Sequence, residues 1–357
     1  VVVKKFTEEI GKSTGIKVNL KDLERILASL ILTPHFWRVV YLSNQPFNVV
    51  AEAIKLFQQE GLVQVNEARQ IFLTPAGQKI VEEKNIKPRI SHTCSKCQGR
   101  GITLEKLGEL AIEFREISQS RPPAIIDYDQ GYVTNETTLS RIALLADRGD
   151  IQGKEIIILG DDDLVSIAAA LSGLPKRVVT LEVDERLISF INEVAKKKGL
   201  PIETRCHNLL NKLPDEYVGS FDTFLTDPPE TVEAFKLFIT RGLAALKGPG
   251  CAGYFGLTYV ESSLEKWRVF QQILTEEFRL TITDLIHDFN EYVNWDYLLP
   301  SIRDDLPFIQ IEPDFNWYRS SQYRILTTES YQPLNIDFPE EDIYVDQDAL
   351  VFTKRRS

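Results

Sequence analysis

Two short acidic turns hold the side chains best suited to chemistry in this sequence, Gly160-Asp161-Asp162-Asp163 and Asp227-Pro228-Pro229-Glu230. Each follows an apolar run, residues 155–159 and 221–226, so each is expected at the carboxyl end of a β-strand. A dinucleotide-binding turn carries glycines that let backbone amides approach a pyrophosphate at a helix N-terminus. Three consecutive carboxylates repel such an anion. The first turn therefore disfavours NAD and ATP and favours an uncharged or cationic nucleoside, such as an adenosyl sulfonium. One aspartate at a helix start is accounted for by the helix dipole, and three exceed that need.

Further candidates stand at the tips of the neighbouring runs. Thr180-Leu181-Glu182-Val183-Asp184 ends the second, where one carboxylate can accept hydrogen bonds from both ribose hydroxyls; Glu182 is preferred and Asp184 comes second. Asn208, after the next strand, offers its side-chain oxygen to an adenine amino group, and a plain loop asparagine fits equally well. The two prolines of the second turn fix the backbone and hold the flanking carboxylates over the same cleft. A comparable turn in amino-group methyltransferases ends in an aromatic residue that stacks on a flat base. With Glu230 in that place a base loses its partner and an alkylammonium gains a counter-ion. Residues 288–295, with Asp288 and Glu291 among aromatic rings, and the aromatic run 315–318 suit either a cation site or hydrophobic pegs for an irregular loop. Glu261, soon after the run 251–257, reads either as a ligand-binding acid or as a helix-start acid facing the dipole.

These turns need a scaffold that gathers strand ends. Apolar runs at 156–159, 178–183, 221–226, 251–257, 280–286 and 323–327 alternate, for the most part, with helical patterns at 164–171, 185–198, 231–246 and 262–277. Such alternation implies a parallel sheet covered on both faces, with its ligand at the carboxyl edge. Another amphipathic helix is expected from 103 to 118, ended by Arg121-Pro122-Pro123. Upstream, residues 20–83 read as helices followed by a hairpin, 62–65 and 71–73, with Thr74 and Pro75 opening one more helix. That succession has the pattern of a winged helix. Glu52, Glu60 and Glu67 make it a poor face for phosphates, so protein packing or dimerisation is preferred to DNA binding. Cys94 and Cys97 supply two of the four ligands a structural zinc needs; His92 could add a third, and two reduced cysteines in a turn is the preferred reading.

The whole chain agrees with a cationic partner. Forty-one basic against 52 acidic residues leave a net charge of −11 over 357 residues, which opposes attraction to nucleic acid and anionic lipid. Acidity that merely keeps a protein in solution accounts for it equally well. No stretch nears the ~20 apolar residues of a membrane span and residues 1–5 lack a signal core, so a cytoplasmic location is expected.

Gly160-Asp161-Asp162-Asp163-Leu164, Leu171-Ser172-Gly173-Leu174-Pro175-Lys176-Arg177, Asp227-Pro228-Pro229-Glu230-Thr231-Val232-Glu233-Ala234, residues 246–256 and Phe289-Asn290-Glu291-Tyr292-Val293-Asn294-Trp295 together resemble the branched-chain polyamine synthases of thermophilic archaea and bacteria. The connector Thr93-Cys94-Ser95-Lys96-Cys97-Gln98-Gly99 is similar too, and the likeness reaches to residue 324. The chain is expected to divide into an N-terminal winged-helix domain (1–85), a CxxC connector and helix (86–120), a Rossmann-like catalytic domain of the class I methyltransferase and aminopropyltransferase type (121–330) and a tail (331–357). The resemblance implies a reaction that moves aminopropyl groups from decarboxylated S-adenosylmethionine, a co-substrate, to the internal amine of spermidine. N4-aminopropylspermidine and then N4-bis(aminopropyl)spermidine form, and 5′-methylthioadenosine leaves. No prosthetic group or metal is implied, and a homodimer without DNA or membrane partners is expected.

Carried over by motif, the catalytic carboxylate lies in Asp161-Asp162-Asp163, with Asp162 in the leading place. Gly160, Glu182, Asp184, Asn208 and Asp227 fall to the donor, and Pro228, Glu230, Glu261, Glu291, Tyr292 and Trp295 to the acceptor. Asn208 stands where an aspartate is expected. The acidic turn would repel the carboxylate of ordinary S-adenosylmethionine and accept the decarboxylated donor. Two rival readings are a nucleic-acid N-methyltransferase, which Glu230 and the net charge oppose, and a winged-helix regulator that senses a polyamine or nucleoside. Turnover separates both from the aminopropyltransferase.

Overall fold

The computed structural model describes residues 2–302, 305–339, 343 and 346–348, so parts of the tail at 331–357 lie outside the described residues. The chain opens with α1 (Val2–Thr14), α2 (Leu20–Leu32), α3 (Phe36–Ser43) and α4 (Phe47–Gln59). A hairpin of β1 (Val63–Val65) and β2 (Ile71–Leu73) follows, and then α5 (Pro75–Glu83). Local chemistry explains the boundaries. Asn19 and Asp22 form a reciprocal capping box at α2, and Thr74 accepts from the Gly77 amide with Pro75 at the first position of α5. Glu52 is buried and paired with Lys55, so it belongs to the packing of α4 rather than to the exposed acidic face expected of it.

A short one-turn helix precedes α6 (Gly108–Ser118), and α7 (Asn135–Arg148) comes next. The sequence reading placed no helix at 135–148, although Thr134 caps it and Gly149, in the left-handed region, stops it. Alternation then follows through β3 (Glu155–Leu159), α8 (Val165–Leu171), β4 (Arg177–Glu182), α9 (Glu185–Lys198), β5 (Ile202–Cys206), β6 (Thr223–Thr226), α10 (Val232–Ala245), β7 (Ala252–Leu257), α11 (Leu264–Gln272), β8 (Thr281–Glu291), α12 (Leu298–Ser301) and β9 (Arg319–Leu326). The seven strands lie in the order β5-β4-β3-β6-β7-β9-β8, parallel from β5 to β7, with β9 antiparallel to both its neighbours.

Period-two alternation explains why β3 is apolar throughout. Ile156 and Ile158 pack under α6, α7 and α8, whereas Ile157 and Leu159 pack under α10 and α11 on the opposite face. Strand order reverses between β3 and β6, so the carboxyl ends of those two strands open the crevice where an α/β sheet takes its ligand. Both acidic turns lie there.

The N-terminal helices do not close a core of their own. Phe6, Trp37 and Phe47 share a cluster with Tyr292, Leu298, Phe308 and Trp317. The rings of Trp37 and Trp317 stand 4.4 Å apart, and the Trp37 Nε1 donates to the Ile311 carbonyl at 2.6 Å. The loop after β8, rich in aromatic residues, is thus pegged to the N-terminal helices on one side. Its other side forms a wall of the crevice. Residues of the tail also pack back, with Phe338 N donating to the Leu210 carbonyl and Lys266 paired with Asp346 and Asp348.

Candidate active site

The crevice holds a cavity of about 380 Å³ lined by Leu159, Gly160 and Asp162 after β3, Leu181, Glu182 and Val183 after β4, residues 207–210 after β5 and Asp227, Pro228, Pro229 and Glu230 after β6. The loop 127–131, Glu261, Tyr292, Trp295, Tyr297, Tyr318, Leu237, Phe238 and Ile343 complete the wall. Seven carboxyl side chains therefore face it, Asp127, Asp129, Asp162, Glu182, Asp227, Glu230 and Glu261. Among the described residues of the lining there is no lysine or arginine.

The three aspartates of the first turn have separate surroundings. Gly160 takes φ +75°, a conformation an L side chain resists, and this swings the chain away from β3. Asp161 is 1% exposed; both its oxygens accept from the Ser166 amide at 3.3 Å, which ties the turn to the start of α8. Burial pushes its pKa up to about 8, against the opposing effect of the Ser166 hydrogen bonds. Asp163 is buried as well and accepts from the Val133 amide at 2.7 Å and from Arg141. Asp162 is half-buried and is the member that lines the cavity, where its Oδ2 accepts from the Gly131 amide at 3.3 Å. Burial, then the charges of Asp163, Glu182 and Asp227, hold its pKa well above the carboxylate range.

Glu182 is held by three amides, Asp161 N at 2.8 Å, Val183 N at 2.8 Å and Asp184 N at 2.9 Å. Burial raises its pKa even so. Asp184 does not line the cavity: it caps α9, accepts from Gln130 and pairs with Arg186. Burial alone would raise its pKa, but the bonds from Arg186 and Gln130 take it below the usual value. Asn208 lines the cavity, yet its side-chain oxygen, assigned above to adenine, accepts from the Leu210 amide at 2.9 Å in an Asx turn.

On the other turn, Asp227 accepts from Arg141 at 2.8 Å and from the Tyr292 hydroxyl at 2.6 Å, and burial raises its pKa in spite of the arginine. Glu230 accepts from the Thr258 amide at 3.3 Å; burial and the neighbouring Glu261 raise its pKa well above the usual range. Glu261 in turn accepts from the Tyr318 hydroxyl at 2.6 Å. The rings of Tyr292, Tyr318 and Trp295 meet edge to face at 5.0 and 5.5 Å, so aromatic surface and carboxylates share one wall. Glu291 is turned elsewhere. It pairs with Arg319 at 2.7 Å and accepts from Asn316, outside the cavity lining, which corrects the acceptor-side placement expected for it.

Residues the motif reading passed over include Arg141, Gln130, Tyr297 and His207. The segment Asp127-Tyr128-Asp129 carries the same acid and aromatic mixture that drew attention to 288–295, so that signal was present. Arg141 has no comparable signal, being one arginine on an amphipathic helix. Cys94 and Cys97 lie in a turn away from the cavity, and no group of three or more His, Cys, Asp or Glu suited to a metal occurs among the described residues. No helix of the described residues is long and apolar enough to cross a membrane.

A family model described as the C-terminal domain of branched-chain polyamine synthase A matches residues 109–351. The N(4)-bis(aminopropyl)spermidine synthase of Thermococcus kodakarensis is 44% identical over 349 residues, covering 97% of this chain and 99% of that protein. Its namesake from Methanocaldococcus jannaschii is 43% identical, covering 91% of this chain and 93% of its own. The crystal structure of the branched-chain polyamine synthase from Thermus thermophilus, in complex with N4-aminopropylspermidine and 5′-methylthioadenosine, aligns with a TM-score of 0.89 at 38% identity and covers 98% of each chain.

Proposed function

The chain belongs to the branched-chain polyamine synthase family, and on that premise we propose that it transfers aminopropyl groups from decarboxylated S-adenosylmethionine to the internal nitrogen of spermidine. The products are N4-aminopropylspermidine, then N4-bis(aminopropyl)spermidine, each with 5′-methylthioadenosine. The observation that carries this is the cavity itself: seven carboxyl groups, several aromatic faces and, among the described residues, no lysine or arginine, at the sheet's switch point. Such a wall attracts a sulfonium and a polyamine and repels a substrate carboxylate or phosphate.

In each transfer the acceptor nitrogen, protonated at neutral pH, first loses a proton. Its lone pair then attacks the methylene carbon bound to sulfur; the new N–C bond forms, the C–S bond breaks, and the electron pair stays on sulfur. Asp162 takes the proton, because it is the first-turn carboxylate facing the cavity, and burial with the neighbouring acids makes it more basic than an ordinary carboxylate. Glu182, fixed by three amides, holds the ribose through the one lone-pair site they leave, on Oε2. Glu230 and Glu261 hold the ammonium groups of the acceptor, beside Pro228, Tyr292 and Trp295, and Asp227, held by Arg141 and Tyr292, borders the donor.

The N-terminal helices and hairpin are read as a winged helix used for packing within a cytoplasmic homodimer rather than for DNA. Exposed Glu60 and Glu67 and the continuity of its core with the loop after β8 support that reading. The test of function is mass spectrometry of the products after incubation with the decarboxylated donor and spermidine. Two successive aminopropyl additions are expected, together with 5′-methylthioadenosine. Methyl transfer from S-adenosylmethionine, or no product at all, would defeat the proposal.

A further inference from the structure

We infer that Arg141, which belongs to none of the motifs above, is a positioning residue: it locks the two acidic turns together and leaves Asp162 as the first-turn carboxylate that meets the substrate nitrogen. The inference rests on the aminopropyl-transfer reading and adds a residue to it.

Arg141 lies on α7 and is 5% exposed. One guanidinium nitrogen pairs with Asp163, the second donates to Asp227 Oδ2 at 2.8 Å, and Nε donates to Asn290 Oδ1 at 3.0 Å. A single planar fork thus spans the ends of β3, β6 and β8. Only a guanidinium offers such a set of donors, since a lysine ammonium is a point charge on a flexible stem. Arg141 does not line the cavity, so its charge stands behind Asp163 and Asp227, away from a cationic ligand.

Each carboxylate around the fork is committed. Asp163 has one oxygen on Arg141 and the other on the Val133 amide. Asp227 has Oδ2 on Arg141 and Tyr292, while its Oδ1 lies against Gly256, where an added Cβ would stand only 2.4 Å away. Asp161 serves the start of α8. What remains to face substrate from the first turn is Asp162, whose charged neighbours are Asp163, Glu182 and Asp227, with Arg121 opposing them. Removing Arg141 leaves the charges of Asp163 and Asp227, which already act on Asp162, without their counter-ion and frees both turns to shift. Removing the charge of Asp163 does the reverse electrostatically.

The test is a pH series of kcat and KM with the decarboxylated donor and spermidine, on the wild type and on Arg141→Gln, Arg141→Lys and Asp163→Asn. Arg141→Gln should lose about a hundredfold or more in kcat, the scale set by misplacing a reacting group by about 1 Å, with a smaller change in KM. Its acid limb should move to higher pH, and Arg141→Lys should recover part of the loss. Asp163→Asn should move the acid limb to lower pH. Opposite movements of one limb are not what a merely structural arginine would produce. Should Arg141→Gln fail to fold, Asp163→Asn decides alone, and an unmoved limb there overturns the inference. Near wild-type turnover in Arg141→Gln overturns it too. Wild-type activity in the same assay tests the underlying reading separately, because unchanged variants beside an active wild type defeat only the role of Arg141.

Discussion

Asp161, Asp162 and Asp163 show how far identical side chains can be separated by surroundings. One ties its own turn to a helix start, one is clamped by an arginine, and one looks into the cavity. Asp162→Asn keeps size and shape while removing charge and basicity, so turnover should fall about 10²–10⁴-fold, the range for loss of a general base. Binding of 5′-methylthioadenosine, measured by calorimetry, should change little, because Glu182 is the group assigned to the ribose. Near-normal turnover in Asp162→Asn together with its loss in Asp161→Asn or Asp163→Asn would move the catalytic role within the triplet. Activity in all three variants would make the turn structural and remove the mechanism.

At the scale of elements, the site depends on strands that stack without slack. β6 carries the second acidic turn, and its Phe224 lies against Gly253 of β7, where an added Cβ would stand 2.3 Å from the ring and 2.8 Å from Ile325. Neither neighbour is the free end of a flexible polar chain. Gly253→Ala should therefore destabilise the fold by about 1–3 kcal/mol, as overpacking of a core does. Urea denaturation checks this, and an unchanged midpoint would show that the β6–β7 interface has room to relax. Much at this scale was legible: α9 was expected at 185–198 and is found there, and Thr74 and Pro75 open α5 as read. α7 was missed because its apolar positions lie between a proline-rich break and the first strand, although Thr134 and Gly149 mark both its ends.

Over the whole molecule, burying acids couples stability to pH. Asp161 in the unfolded chain has a pKa of about 3.9, and in the fold it is raised to about 8. A carboxyl whose folded pKa is raised contributes stability fully below the unfolded value and loses it as pH rises through the folded one. Asp161→Asn retains a neutral acceptor for the Ser166 amide and cannot ionise. Its melting temperature relative to the wild type should therefore climb as pH rises from about 4 to about 8. A constant difference over that window would show that Asp161 ionises as easily in the fold as in the unfolded chain. The net charge of −11 adds to the repulsion within the cavity, which the proposed polyamine substrate would relieve.

Residue order alone determined the features that are local or periodic. Alternating apolar runs and helices specify the doubly covered sheet, because period and hydrophobicity decide which face is buried. Acidic turns directly after strands specify where ligand chemistry gathers, because strand ends in such a sheet converge at one edge. Only tertiary structure decided how those acids divide their work. The partner of Asp163 and Asp227 is Arg141, distant in sequence from Asp227 and on a helix the motifs did not flag. Glu291 lies in the same motif as Tyr292, yet it turns towards Arg319 while Tyr292 reaches Asp227, because Glu291 ends β8 and Tyr292 follows it in a bridge to Val133, and successive residues of extended backbone point to opposite sides. The joining of the N-terminal helices to the loop after β8 through Trp37 and Trp317 is likewise a contact between residues far apart in the chain. Burial and pairing are properties of neighbours in space, and they decide which carboxylate is held by a cation and which one faces the cavity.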